Sequence, residues 1–87
     1  MKKFKMTKEM ISLKLSEILK ESFGIIDFLP SFRLGSDMGI DENDLYLFLN
    51  LIDQHFNLDF TNENRSNMEN IKIGKLIDMI FSLTNKK

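Results

Sequence analysis

The chain has 87 residues, with 12 basic side chains against 13 acidic ones, one histidine and no cysteine. A chain of that length makes one domain and buries only about 60–65% of the surface its unfolded form exposes, so its core is small and its stability modest. Without cysteine there are no disulfides and no thiolate metal site, and the lone His55 excludes a histidine-based metal or catalytic constellation.

Charge is distributed in three blocks. Residues 1–20 hold six lysines against two glutamates, residues 21–71 hold ten carboxylates against Arg33 and Arg65, and residues 72–87 hold four lysines against Asp78. An acidic middle speaks against nucleic acid and for a protein partner with a basic surface. The plainer alternative is that the basic ends pair with the acidic middle inside the fold. MKKFKMTKEM has the lysines of a signal-peptide n-region but no apolar run behind them, so a cytoplasmic protein without membrane insertion is expected. The expected layout is a single domain over 1–87 with basic tails at about 1–6 and 84–87.

The spacing predicts a first helix over 7–24. Thr7 is its cap, Ile11, Leu15, Ile18 and Leu19 with Ser22 line one face, and Gly24 is the left-handed stop. Residues 25–40 follow, broken by Pro30, Gly35 and Gly39 yet carrying Ile25, Ile26, Phe28, Leu29, Phe32, Leu34, Met38 and Ile40. A loop this apolar is expected to lie ordered across the core and close it. A second helix is predicted from Glu42 to about His55, capped by Asp41, with Asp44 where a capping-box acid reaches back. Leu45, Phe48, Leu49, Ile52 and Phe56 form its inner stripe, and Tyr46, Leu47 and Leu51 lie off it. A short helix from about Asn62 after Thr61 is predicted next. The last helix spans 71–83, with Ile73, Leu76, Ile77, Ile80 and Phe81 inward and Gly74 admitting a close neighbour. The fold class expected is all-α, a small four-helix bundle with a long ordered first loop.

Several stretches, in order, resemble the acyl carrier protein family across nearly the whole chain. In that family a long loop leads to Asp-Leu-Gly-x-Asp-Ser-Leu, and the serine opens helix II. Here Asp37-Met38-Gly39-Ile40-Asp41-Glu42-Asn43-Asp44 stands in that register, preceded by Phe32-Arg33-Leu34. Asp53-Gln54-His55-Phe56 is similar to the family's acidic-x-x-Phe near the end of helix II, Asn57-Leu58-Asp59-Phe60 to its step into the second loop, and residues 71–80 to its helix IV. The resemblance implies the carrier bundle. It breaks at Glu42, because a carboxylate does not form the stable phosphodiester by which a serine hydroxyl holds 4′-phosphopantetheine. Gly39-Ile40-Asp41-Glu42-Asn43-Asp44 looks more like uncharacterised bacterial carrier-like proteins with Gly-Ile-Asp-Gly-Asp-Asp at this point, which keep the bundle without the arm.

Ser36 is the alternative attachment point for 4′-phosphopantetheine, but it stands 20 residues before Phe56, against about 14 in the family. Asp37, Asp41, Glu42 and Asp44 lack the ligand loop and closing glutamate of an EF-hand, and carboxylates at a helix start have a structural use against its dipole. No cofactor and no metal are therefore expected. The carrier family is read by basic partners along helix II, so the resemblance implies a docking set here of Asp41, Glu42, Asp44, Tyr46, Leu47, Leu51 and Asp53. His55 near the helix end suits the dipole, and the six methionines suit core gaps. With no glycine-rich phosphate loop and no Ser/His/Asp set, an enzyme is not expected. A small helical interaction or regulatory module unrelated to carriers is the other class of reading.

Overall fold

The computed structural model describes residues 6–58 and 68–85. Among them are three α-helices, α1 (Lys8–Phe23), α2 (Glu42–Phe56) and α3 (Ile73–Thr84), and one turn of 3-10 helix, Met68–Asn70, leading into α3. The described residues thus form a small all-α domain with three helices, where the sequence pattern led us to expect four. The short helix expected from Asn62 lies outside the described residues.

Helix ends follow local chemistry closely. Thr7 Oγ1 accepts from the Met10 N–H at 3.2 Å, and Asp41 Oδ1 accepts from the Asp44 N–H at 2.8 Å, so each cap satisfies an amide that has no partner within its helix. Gly24 ends α1 in the left-handed region at φ 68°, and the Gly24 and Ile25 N–H groups close onto the Lys20 and Leu19 carbonyls. Asn57 ends α2 in the same way at φ 54°, with the Leu58 N–H bonded to the Asp53 carbonyl.

The inner faces meet in one apolar cluster. Ile11, Leu15, Ile18 and Leu19 of α1, the expected stripe of α2, and Ile73, Leu76, Ile77 and Ile80 of α3 are all buried, together with Leu34, Ile40 and Met68. No polar or charged residue is buried among the described residues. The Phe23 ring meets Phe48 edge-on at 5.8 Å, tying the end of α1 to the middle of α2. Ser22 is exposed rather than part of the α1 stripe, and Phe81 is only half-buried.

The last helix begins two residues later than expected because Ile71 and Lys72 are extended. They run antiparallel to the first loop, with Arg33 opposite Lys72. Leu34 N–H donates to the Ile71 carbonyl at 3.1 Å and Ile73 N–H to the Phe32 carbonyl at 2.9 Å, flanked by Gly35 N–H to Glu69 O and Gly74 N–H to Pro30 O, both 2.9 Å. Two glycines permit this approach. A Cβ on Gly74 would sit 3.3 Å from the Pro30 carbonyl oxygen, and one on Gly35 would sit 2.9 Å from that of Glu69. The loop therefore closes the core with Leu34 and Ile40, but not along its whole length. Ile26 and Leu29 are 74% and 58% exposed. Backbone pairing of 30–35 turns Leu34 inward, and Ile26 and Leu29, which precede it, lie on the outside.

The ion pair seen between α1 and α3 joins the two basic ends of the chain rather than an end to the acidic middle. Lys8 Nζ lies 2.9 Å from Asp78 Oδ1 and 5.4 Å from the centre of the Phe81 ring.

Candidate functional site

The expected docking residues sit on α2 and its cap, and helical geometry divides them. At 3.6 residues per turn, neighbours on a helix surface are three or four apart. Asp44, Leu47 and Leu51 are spaced by three and four, so they share one flank of α2. Glu42, Tyr46 and Asp53 share the other, with Asn43, Asn50 and Gln54 between the two along the outward ridge. Asp41 stands at the top of both. One docking face was expected; the candidate residues fall instead on two narrower flanks.

Exposure divides them further. Tyr46 is 63% and Leu47 48% exposed, and Asp41, Glu42 and Asp44 are exposed as well. Leu51 and Asp53 are half-buried, with Leu51 packed against the core, so Leu47 is the apolar residue that the Asp44 flank offers outward. An exposed leucine alone is ordinary on a protein surface. Here it stands one helical turn from an exposed carboxylate at the positive end of the helix.

The acidic cluster of 37–44 does not converge. Asp37 Oδ2 accepts from the Arg33 N–H at 2.7 Å and so belongs to the turn before it, whereas Asp41 caps α2. Among the described residues no three carboxylate or histidine side chains group as metal ligands would. Ser36 is exposed within that same turn, held by Asp37 N–H and Met38 N–H to the Arg33 carbonyl and Gly39 N–H to the Gly35 carbonyl. It lies in the loop, six residues before the first residue of α2, which is Glu42. His55 is exposed in the last turn of α2, where its sequence position put it.

Glu42 also lines a cleft of about 370 Å³ with Ile40, Leu45 and Glu69. An adjoining hollow of about 190 Å³ shares Glu42, Leu45 and Glu69 and adds Tyr46 and Leu49. Glu69 was not foreseen as a site residue. It is brought to α2 by the pairing of Gly35 with the 3-10 turn, a contact between distant segments that leaves no periodic trace in the sequence.

Comparison with protein-family models, with curated proteins and with solved structures gives no match to this chain. Fold and site together define a class, a small all-α domain whose second helix presents carboxylates and isolated apolar residues on two flanks. No helix among the described residues is long and apolar enough to cross a membrane.

Proposed function

We propose that this chain is an acyl-carrier-like helical bundle without a phosphopantetheine arm, and that it works by docking a basic-surfaced protein. The docking flank is Asp44–Leu47–Leu51, with Asp41 at its upper end. This reading makes it a cytoplasmic, bacterial, non-enzymatic binding protein with no prosthetic group. The observation that supports it is the half-exposed Leu47 one turn from Asp44 on a helix whose first residue is a carboxylate instead of a serine. Carboxylates steer a basic partner at long range, and burial of the exposed half of Leu47 then adds about 1 kcal/mol of short-range affinity. Steering of this kind weakens as salt shortens the Debye length from about 10 Å at 0.1 M to about 3 Å at 1 M.

The first test is intact mass after incubation with coenzyme A, Mg²⁺ and a broad-specificity phosphopantetheinyl transferase, with a known carrier as control. No gain beside a fully modified control is expected. A gain of one phosphopantetheine that disappears in Ser36→Ala would replace the proposal with a carrier whose arm sits in the loop. The exposure of the Ser36 hydroxyl is what favours that second reading. For the docking flank, proteins cross-linked at low salt are compared between the unaltered chain, Asp44→Lys, Leu47→Ala and the control Leu13→Ala on α1. A partner lost with the first two and retained by the control is expected; one retained by all three would refute the flank.

A further inference from the structure

The Arg33–Lys72 bridge sets two cations side by side. The two hydrogen bonds that frame it, Leu34 N–H to Ile71 O and Ile73 N–H to Phe32 O, make it the narrow kind of antiparallel pair, with α-carbons typically about 4.5 Å apart and side chains on one side. Like charges in that position repel. Lys75 follows Lys72 by three residues, so it stands on the same face of the α3 start. All three side chains are exposed.

Among the described residues no ion pair offsets this concentration. Asp37, Glu69 and Asp78 stand within four residues of these cations in the chain, and none forms an ion pair with Arg33, Lys72 or Lys75 among the described residues, Asp78 pairing with Lys8 instead. Helices α1 and α2 carry acids in their first turns, Glu9 in one and Glu42 and Asp44 in the other, but α3 carries none there and is preceded by Lys72. Cations at the positive end of a helix dipole are the unfavourable arrangement. The Ile73 and Gly74 amides are already taken by loop carbonyls, so what faces out is a cluster of side-chain cations and not an open helix terminus. Beside it lies an apolar residue. Leu29, 58% exposed, precedes the Pro30 whose carbonyl binds Gly74, the residue before Lys75.

We propose that Arg33, Lys72 and Lys75, with Leu29 at their edge, form a second docking surface that takes an acidic, leucine-containing segment of a protein partner. Charge complementarity selects an acidic occupant, and Leu29 selects one with apolar side chains as well as charge. A duplex nucleic acid fits less well, because three cations neutralise few of its phosphates and Leu29 finds no apolar side chain on its backbone. This surface is independent of the acidic flank of α2 and stands or falls without it.

The test is an amide NMR titration of the full chain with a short synthetic peptide of glutamate pairs alternating with leucines. The same peptide carrying glutamine for glutamate, anionic phospholipid vesicles and a short DNA duplex are run beside it. Expected are the largest shifts at Leu29, Arg33, Lys72 and Lys75 with the acidic peptide alone, and affinity lowered about tenfold or more in Arg33→Gln and in Lys72→Gln. Lys72→Glu provides the sharper reading. It replaces a repulsive pair with an attractive one, so it should raise the melting temperature, on the order of 1–5 °C, while abolishing peptide binding. The proposal is overturned if binding survives these substitutions, if shifts fall only on the terminal lysines, if the vesicles or the duplex bind and the peptide does not, or if Lys72→Glu lowers the melting temperature.

Discussion

Glu42 stands first in α2, directly after a cap that already serves the Asp44 amide, so its carboxylate is free to act on the helix dipole and on whatever approaches the cleft beside it. Local chemistry of this kind carries measurable weight. Asp41→Ala should cost about 0.5–2 kcal/mol of stability in urea unfolding, because the Asp44 N–H loses its acceptor. The glycines divide by mechanism. Gly24→Ala should cost about 1–2 kcal/mol through its φ of 68°, with open space around the new methyl. Gly35→Ala meets backbone, the Glu69 carbonyl at 2.9 Å, so it should cost about 1–3 kcal/mol. Its signature is loss of hydrogen-exchange protection at Leu34, Gly35 and Ile73, the amides bonded across the loop and the start of α3. Gly24→Ala should leave those amides protected.

At the scale of the element, α2 shows how one helix serves the core and the surface at once. Phe48 and Leu47 are adjacent in sequence and opposite in consequence. Phe48 is fully buried against α1, so Phe48→Ala should destabilise by about 3–5 kcal/mol. Leu47→Ala should change stability by no more than about 0.5 kcal/mol, and its effect should appear in partner binding instead. A large loss of stability from Leu47→Ala in thermal or urea unfolding would show that the residue packs, and would remove the argument for docking. The start of α3 teaches a second lesson. Hydrophobic spacing continued through Ile71, yet the helix waits until Ile73, because pairing with the loop holds Ile71 and Lys72 extended.

At the scale of the molecule, a core without buried charge among the described residues leaves their electrostatics to the surface. The Lys8–Asp78 pair is more than half exposed on both sides, so a double-mutant cycle should find about 0.2–1 kcal/mol for it, diminishing with added salt. The three helices share one cluster, and unfolding should therefore be a single cooperative transition, coincident by circular dichroism and tyrosine fluorescence, with a urea slope of about 1–1.5 kcal/mol/M. Transitions that separate between the two probes would mean that the Tyr46 end of α2 opens on its own.

Sequence alone determined the all-α class, the inner stripes of α1 and α2, the caps at Thr7 and Asp41 and the stop at Gly24, because each depends on residues within one or two turns of each other. It also marked the candidate docking residues of α2, whose spacing divides them between two flanks, but not which of them stand exposed. Tertiary structure decided what distant segments do to each other. Pairing of residues 30–35 with 69–74 turned Leu34 into the core, delayed α3, carried Glu69 to the cleft beside Glu42 and set Arg33 against Lys72. Those contacts rest on backbone hydrogen bonds, which every residue but proline can both give and accept, and so they write no side-chain pattern into the chain.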